Sequence, residues 1–149
     1  MLKVGRERFT ILSVHSSRER ETIISSLDYK RGSETILLVE DEELLCHVVV
    51  DMLSQLGYRV LGATSGKEAL ALAQEYSGQI DVLISDVLMP ELAGPQLADS
   101  LRRSRPNLKV IFVSGDAEAS GVIGLGDALL QKPFTIKMLS AKLREVLQV

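Results

Sequence analysis

The sequence predicts an α/β domain: a doubly wound, five-stranded parallel sheet with helices on both faces. Two observations carry this. After Glu34, five short apolar runs alternate with helical patterns at the spacing of βα units, and four of those runs ("ILLV", "VLI", "VIFV", "ALL") are continuous rather than alternating. Strands buried on both faces read that way, and burial on both faces calls for a parallel sheet between two helical layers. The length of 149 residues suits one domain with an appendage, enough to bury about two thirds of the unfolded surface. With three Phe, three Tyr and no Trp, the core is expected to be aliphatic.

The elements follow in order. Thr35 to Val39 reads as the first strand. Leu44, Leu45, Val48, Val49, Met52, Leu53 and Leu56 then form one apolar helical stripe that ends at Gly57 as cap. Tyr58 to Gly62 is the second strand, and Ser65-Gly66-Lys67-Glu68 is a capping box opening an Ala-rich helix that runs to about Tyr76. Asp81 to Ser85 is the third strand, followed by a helix from Pro95 that stops before Pro106. Leu108 to Ser114 is the fourth. The next stretch, "DAEASGVIGLGD", holds three Gly in twelve residues, so a helix between the fourth and fifth strands is expected to be short or missing. Ala128 to Gln131 is the fifth strand, and a last helix after Pro133 turns Leu139, Leu143, Val146 and Leu147 inward. Residues 1–34 do not extend the repeat. "RFTILSV" suits one strand and "SSRERETIISSL" one short helix, before a polar "DYKRGSE"; the segment is read as a partly disordered N-terminal extension or linker before a domain over 35–149.

Composition narrows the function classes. Net charge is −3, divided as 7 basic and 5 acidic residues over 1–34 against 10 and 15 over 35–149. An acidic domain gives no support to direct nucleic-acid binding, and "LRRSRP" reads as a solvated helix end whose arginines suit the helix dipole. No run approaches the ~18 apolar residues of a membrane span and no apolar signal core opens the chain, so no membrane insertion and a cytoplasmic location are expected. Cys46 is alone, which excludes an internal disulfide and leaves it as a small filler on the first helix. His47 and Asp51 lie off the apolar stripe, and His47 and His15 are read as surface residues.

Ligands of doubly wound sheets bind beyond the carboxyl ends of the strands. At those ends stand Glu40 and Asp41, then Asp86, then Ser114, then Lys132. Three carboxylates at one rim repel, and a divalent cation together with an ammonium would balance them; oxygen ligands of this kind suit Mg²⁺. With both cations present an anionic phosphodonor can approach a carboxylate nucleophile, giving an acyl phosphate that Ser114 could hydrogen-bond.

"LLVEDE", "DVLMPELAG", "FVSG" and "QKPF", in this order and at these strand ends, resemble the motifs of bacterial response-regulator receiver domains over residues 34–149. The resemblance implies the flavodoxin-like strand order 2-1-3-4-5, an order the general description of that fold already assigns to a member of this family. It implies a regulatory phosphoacceptor in a two-component phosphorelay, not an enzyme acting on a separate substrate. Asp86 would take the phosphoryl group from the phosphohistidine of a histidine kinase or phosphotransfer domain and catalyse its own phosphorylation and dephosphorylation. Mg²⁺ would be held by Asp41, Asp86 and the backbone carbonyl of Leu88, and by Glu40 through water. Ser114 would be the switch hydroxyl, Gly115 would leave room for the phosphoryl group, Lys132 would contact it, and a cis peptide at Pro133 would aim the lysine. A downstream protein partner would read the result.

The sequence departs from the family pattern at three points. Leu129 stands where an aromatic residue is usual, the switch hydroxyl is Ser and not Thr, and only 18 steps separate Ser114 from Lys132. The shortfall lands in the Gly-rich stretch and argues against output through the usual fourth-helix face. Two rival readings remain in view: a receiver-like interaction module that works without phosphate, and a Mg²⁺-dependent phosphohydrolase. The first would be marked by loss of an acid or the lysine, all of which are present. The second wants an acid two residues after the nucleophile, where Leu88 stands. "GRERFTILSV" before the linker suggests the receiver of a hybrid sensor kinase over a stand-alone regulator, and no output domain is expected after the last helix.

Overall fold

Strand and helix alternate through the described chain as the apolar pattern requires. The structure, a computed structural model, describes residue 18, residues 32–115, residue 124 and residues 126–147. The elements are β1 (Thr35–Val39), α1 (Glu43–Gln55), β2 (Arg59–Ala63), α2 (Gly66–Glu75), β3 (Val82–Asp86), α3 (Gly94–Ser104), β4 (Lys109–Ser114), β5 (Ala128–Gln131) and α4 (Ile136–Leu147). All strand pairs are parallel and the sheet order is β2-β1-β3-β4-β5, as expected. The expected leader strand and helix, and most of the Gly-rich stretch where a helix was expected to be short or missing, lie outside the described residues.

Side chains alternate across each strand, so each face builds its own core. Ile36, Leu38, Val82, Ile84, Ile111, Val113 and Leu130 meet α1 and α4 through Val49, Met52, Leu53, Leu139 and Leu143. Leu37, Val39, Leu83, Val110 and Phe112 meet α2 and α3 through Ala69, Ala73, Leu97 and Leu101. β1, β3 and β4 are buried almost throughout, as their continuous apolar runs predict. β5 corrects that reading: "ALL" belongs to an edge strand, half-buried at Ala128 and Leu129. Three consecutive apolar residues are too few to separate a central strand from an edge covered by one helix.

Other local differences have equally local causes. β2 and β3 begin and end one residue later than expected, which makes Asp86 the last residue of β3. Leu44, assigned to the apolar stripe, is 60% exposed, since it lies in the first turn of α1 beyond the sheet. Gly57, with φ of 100°, ends α1 as predicted. The α2 capping box is one-sided: Ser65 Oγ accepts from the Glu68 amide at 3.1 Å, but the Glu68 carboxylate accepts from the Thr64 amide and hydroxyl at 3.1 and 3.0 Å.

The reading of "LRRSRP" as a solvated end also needs correction. Arg102 is paired with Asp127, and Arg105 donates to the carbonyls of Ala73, Tyr76 and Gly78 at 2.9, 2.7 and 2.8 Å, capping the end of α2. Of its three arginines only Arg103 is exposed as expected. At the opposite end of the sheet from the rim, Gly32 donates to the Leu56 carbonyl at 3.0 Å and Glu34 pairs with the buried Arg144 at 2.8 Å. Arg144 in turn lies over the Tyr58 ring, 5.7 Å from its centroid.

Candidate functional site

Strand parity selects which rim residues can meet. Ile36 and Leu38 point to the α1/α4 face, and so does Glu40 two residues on; Val82 and Ile84 lead to Asp86, and Ala128 and Leu130 lead to Lys132. In the parallel sheet, with β1, β3, β4 and β5 side by side, these side chains leave their strand ends on one face. Lys132 Nζ lies 2.9 Å from Asp86 Oδ1 and 3.6 Å from Glu40 Oε2. Ligand atoms of Glu40, Asp41 and Asp86 all lie within 4.8 Å of one another. Glu40 and Asp86 are buried and Asp41 is exposed at the mouth. The structure thus brings together four of the residues predicted for the site.

The remaining predicted residues surround this group in sequence and space. Ser114, buried, closes β4 opposite Gln131, and its carbonyl accepts from the Lys132 amide at 2.7 Å. That bond fixes the lysine stem beside the end of β4. The Lys132–Pro133 peptide is cis. Gly115 is exposed, and a Cβ there would meet nothing within 4 Å among the described residues. Leu88 has a side chain largely in solvent, 75% exposed.

Charge is out of balance at this rim, with three acids against one ammonium. Burial first, and then the neighbouring Asp86 carboxylate, push the Glu40 carboxyl up to about 8. Burial works against the Lys132 ammonium too, but its contacts with Asp86 and Glu40 outweigh this and hold its pKa above the ordinary lysine value. One ammonium therefore sits between two acids, with a third, Asp41, at the mouth, and a small divalent cation would complete the arrangement: the donors are all oxygens and they converge. Beneath Glu40 and Asp86 lies a cavity of about 20 Å³ walled by Ile84, Val113, Phe134 and Leu139. Cys46 serves as filler: it is buried, its Sγ lies 3.6 Å from the Ala63 carbonyl, and burial, helped by Glu40, pushes its thiol up to about 11.

Two further residues near the acid, part of the quoted motif and strand, received no role from the sequence. Ser85 is completely buried and its hydroxyl donates to the Asp86 carbonyl at 3.0 Å. Gly94, the first residue of α3, donates its amide to the Val87 carbonyl at 2.9 Å. The available signals were a hydroxyl inside the apolar run "VLISD" and a glycine directly before the helix-opening Pro95.

Comparison with known proteins agrees with this geometry. The family model described as "Response regulator receiver domain" matches residues 36–144. Sensor kinase CckA of Brucella abortus is 45% identical over 121 residues, covering 78% of this chain and 13% of that protein. Transcriptional regulatory protein CpxR of Klebsiella pneumoniae is 33% identical over 116 residues, covering 76% of this chain and 49% of that protein. The chain thus spans half or less of the length of these two curated relatives. Among solved structures, the receiver domain from hybrid histidine kinase CckA superposes with a TM-score of 0.67 at 40% identity, covering 76% of this chain and 99% of that one. A response regulator receiver domain protein from Clostridium thermocellum gives 0.69 at 28% identity, covering 77% and 94%. With motif order, sheet order and rim chemistry in agreement, this chain belongs to the response regulator receiver domain family.

Proposed function

We propose that the chain is a phosphoacceptor switch, taking a phosphoryl group on Asp86 from a phosphohistidine. The observation that carries the reading is the excess of carboxylate over ammonium at a rim where Asp86 is held 2.9 Å from Lys132. Mg²⁺ would be held by Asp41, Asp86 and the Leu88 carbonyl, with Glu40 acting through water, and when bound it supplies positive charge against the transferring oxygens. Asp86 donates an electron pair to phosphorus as the N–P bond breaks, and the leaving imidazole takes up a proton. Lys132 holds one phosphoryl oxygen and Ser114 another, while Gly115 leaves the approach open. The domain is a regulator and not an enzyme with a turnover substrate.

The surface supports a protein donor. Leu44 at the start of α1, Leu88 after β3 and Met138 in the first turn of α4 are the large hydrophobic residues exposed among the described residues, and all three sit on elements leaving the acidic rim. A histidine kinase or phosphotransfer domain would cover them, and a downstream protein would read the phosphorylated form. Replacing Leu44 with Asp is expected to slow transfer from a cognate kinase about tenfold while leaving reaction with a small donor unchanged, as measured by parallel phosphorylation time courses. The match to the CckA receiver favours a hybrid-kinase context, with residues 1–34 as extension or linker ahead of the receiver. Among the described residues no helix is long and apolar enough to cross a membrane.

Intact mass after incubation with Mg²⁺ and acetyl phosphate tests the reading. A gain of about 80 Da that hydroxylamine removes, present in the wild type and absent in Asp86→Asn, is expected. No gain with a small donor or a cognate kinase would leave the phosphate-independent interaction module as the better account.

A further inference from the structure

We propose that Ser85 and Gly94 are positioning residues that pin the Asp86 peptide from the sheet face opposite its carboxylate. The inference rests on Asp86 being the acceptor. The Asp86 side chain belongs to the α1/α4 face; the atoms that fix its backbone lie on the α2/α3 face, with Phe112. Ser85, fully buried, donates its hydroxyl to the Asp86 carbonyl oxygen at 3.0 Å and lies 3.8 Å from Met89 Sδ. Gly94 approaches the same oxygen from α3. A Cβ at position 94 would stand 2.2 Å from the Asp86 carbonyl oxygen, 3.1 Å from its carbon and 3.2 Å from Phe112 Cδ1.

Gly94 is not in the left-handed region, so its backbone admits alanine and only the added carbon matters. That carbon would meet backbone on the acid side, which cannot rotate away as a flexible side chain does. The carbonyl would have to retreat by roughly 1 Å, carrying the Asp86 Cα and its carboxylate with it. The 2.9 Å contact to Lys132 and the shared ligand geometry with Glu40 and Asp41 both depend on that placement. A displacement on the order of 1 Å at a reacting group can slow a reaction about a hundredfold. Loss of the Ser85 hydroxyl releases the carbonyl without pushing it, and the effect should be smaller.

The test uses the full chain with Ser85→Ala, Gly94→Ala and, far from the rim, Leu143→Ala as a control for lost stability. Each is assayed at a temperature where circular dichroism shows it folded. Initial phosphorylation rates with Mg²⁺ are followed by intact mass against acetyl phosphate concentration, and Mn²⁺ binding by electron paramagnetic resonance. Positioning predicts a maximal rate lower by about tenfold in Ser85→Ala and about a hundredfold in Gly94→Ala. Half-saturation in donor should barely move, Mn²⁺ binding should weaken in both, and the control should match the wild type in both readouts. Wild-type rates in the two variants, or equal slowing of the control, overturn the proposal. If the wild type takes no phosphoryl group from any donor, the acceptor reading fails by itself. Mn²⁺ binding then decides the positioning: weaker in both variants supports it, unchanged binding overturns it. Should Gly94→Ala not fold, Ser85→Ala decides by the same readouts.

Discussion

Glu40 receives the weaker share of the one ammonium at the rim. Lys132 is 3.6 Å from it against 2.9 Å from Asp86, and burial together with Asp86 raises its pKa to about 8 from the ordinary 4.5. A carboxyl whose pKa is higher folded than unfolded favours folding fully below about 4.5, and that contribution is lost as pH rises through about 8. Urea unfolding in EDTA should therefore show Glu40→Gln more stable than the wild type at pH 9, by on the order of 1–2 kcal/mol, with the gap closing toward pH 4.5. A divalent cation favours the ionised form, so wild-type Mg²⁺ affinity should climb between pH 6 and 9 and do so less in the variant. Glu40, Asp41, Asp86 and Lys132 were legible in the sequence because charged groups at apolar strand ends have few structural reasons to be there. Ser85 and Gly94 were not, because their role is to touch a backbone carbonyl, and nothing in a side chain's identity announces which carbonyl it will touch.

At the scale of elements, "LRRSRP" shows how far composition carries. Arg103 and Arg105 are chemically identical, yet one is solvated and the other joins three carbonyls at the end of α2. Arg105→Ala should cost about 2 kcal/mol in urea unfolding and Arg103→Ala less than about 0.5 kcal/mol. Equal effects would show that the cap contributes nothing. Five strands, the first three helices and the C-terminal helix were readable because periodicity records which face is buried, while the length of an apolar run did not separate central strands from the edge. β3 and β5 both carry runs of three, yet β3 lies at the centre of the sheet and β5 at its edge. Tertiary caps such as Arg105 to α2 span 27 to 32 residues and leave no local trace.

For the whole molecule, the Glu34–Arg144 pair ties the first described segment to the last helix. Burial raises the Glu34 pKa, but the Arg144 guanidinium and the backbone amides of Ser33 and Glu34 together more than offset this and leave the carboxyl below its ordinary value. A lowered carboxyl contributes stability above its unfolded pKa and loses it as pH falls through the folded one. Glu34→Gln is therefore expected to unfold more easily than the wild type at pH 7, by no more than about 1 kcal/mol for a partner that is only partly buried, and to match it near pH 3. The same clasp decides where the chain enters the domain: at Gly32, beside Leu56, at the foot of the strands. A donor joined on that side starts about 16 Å of strand below the acid rim, taking five residues at roughly 3.3 Å each. Only a tether long enough to round the domain's flank could raise the local concentration of its histidine at Asp86, and a shorter one would leave the rim to donors arriving from other molecules.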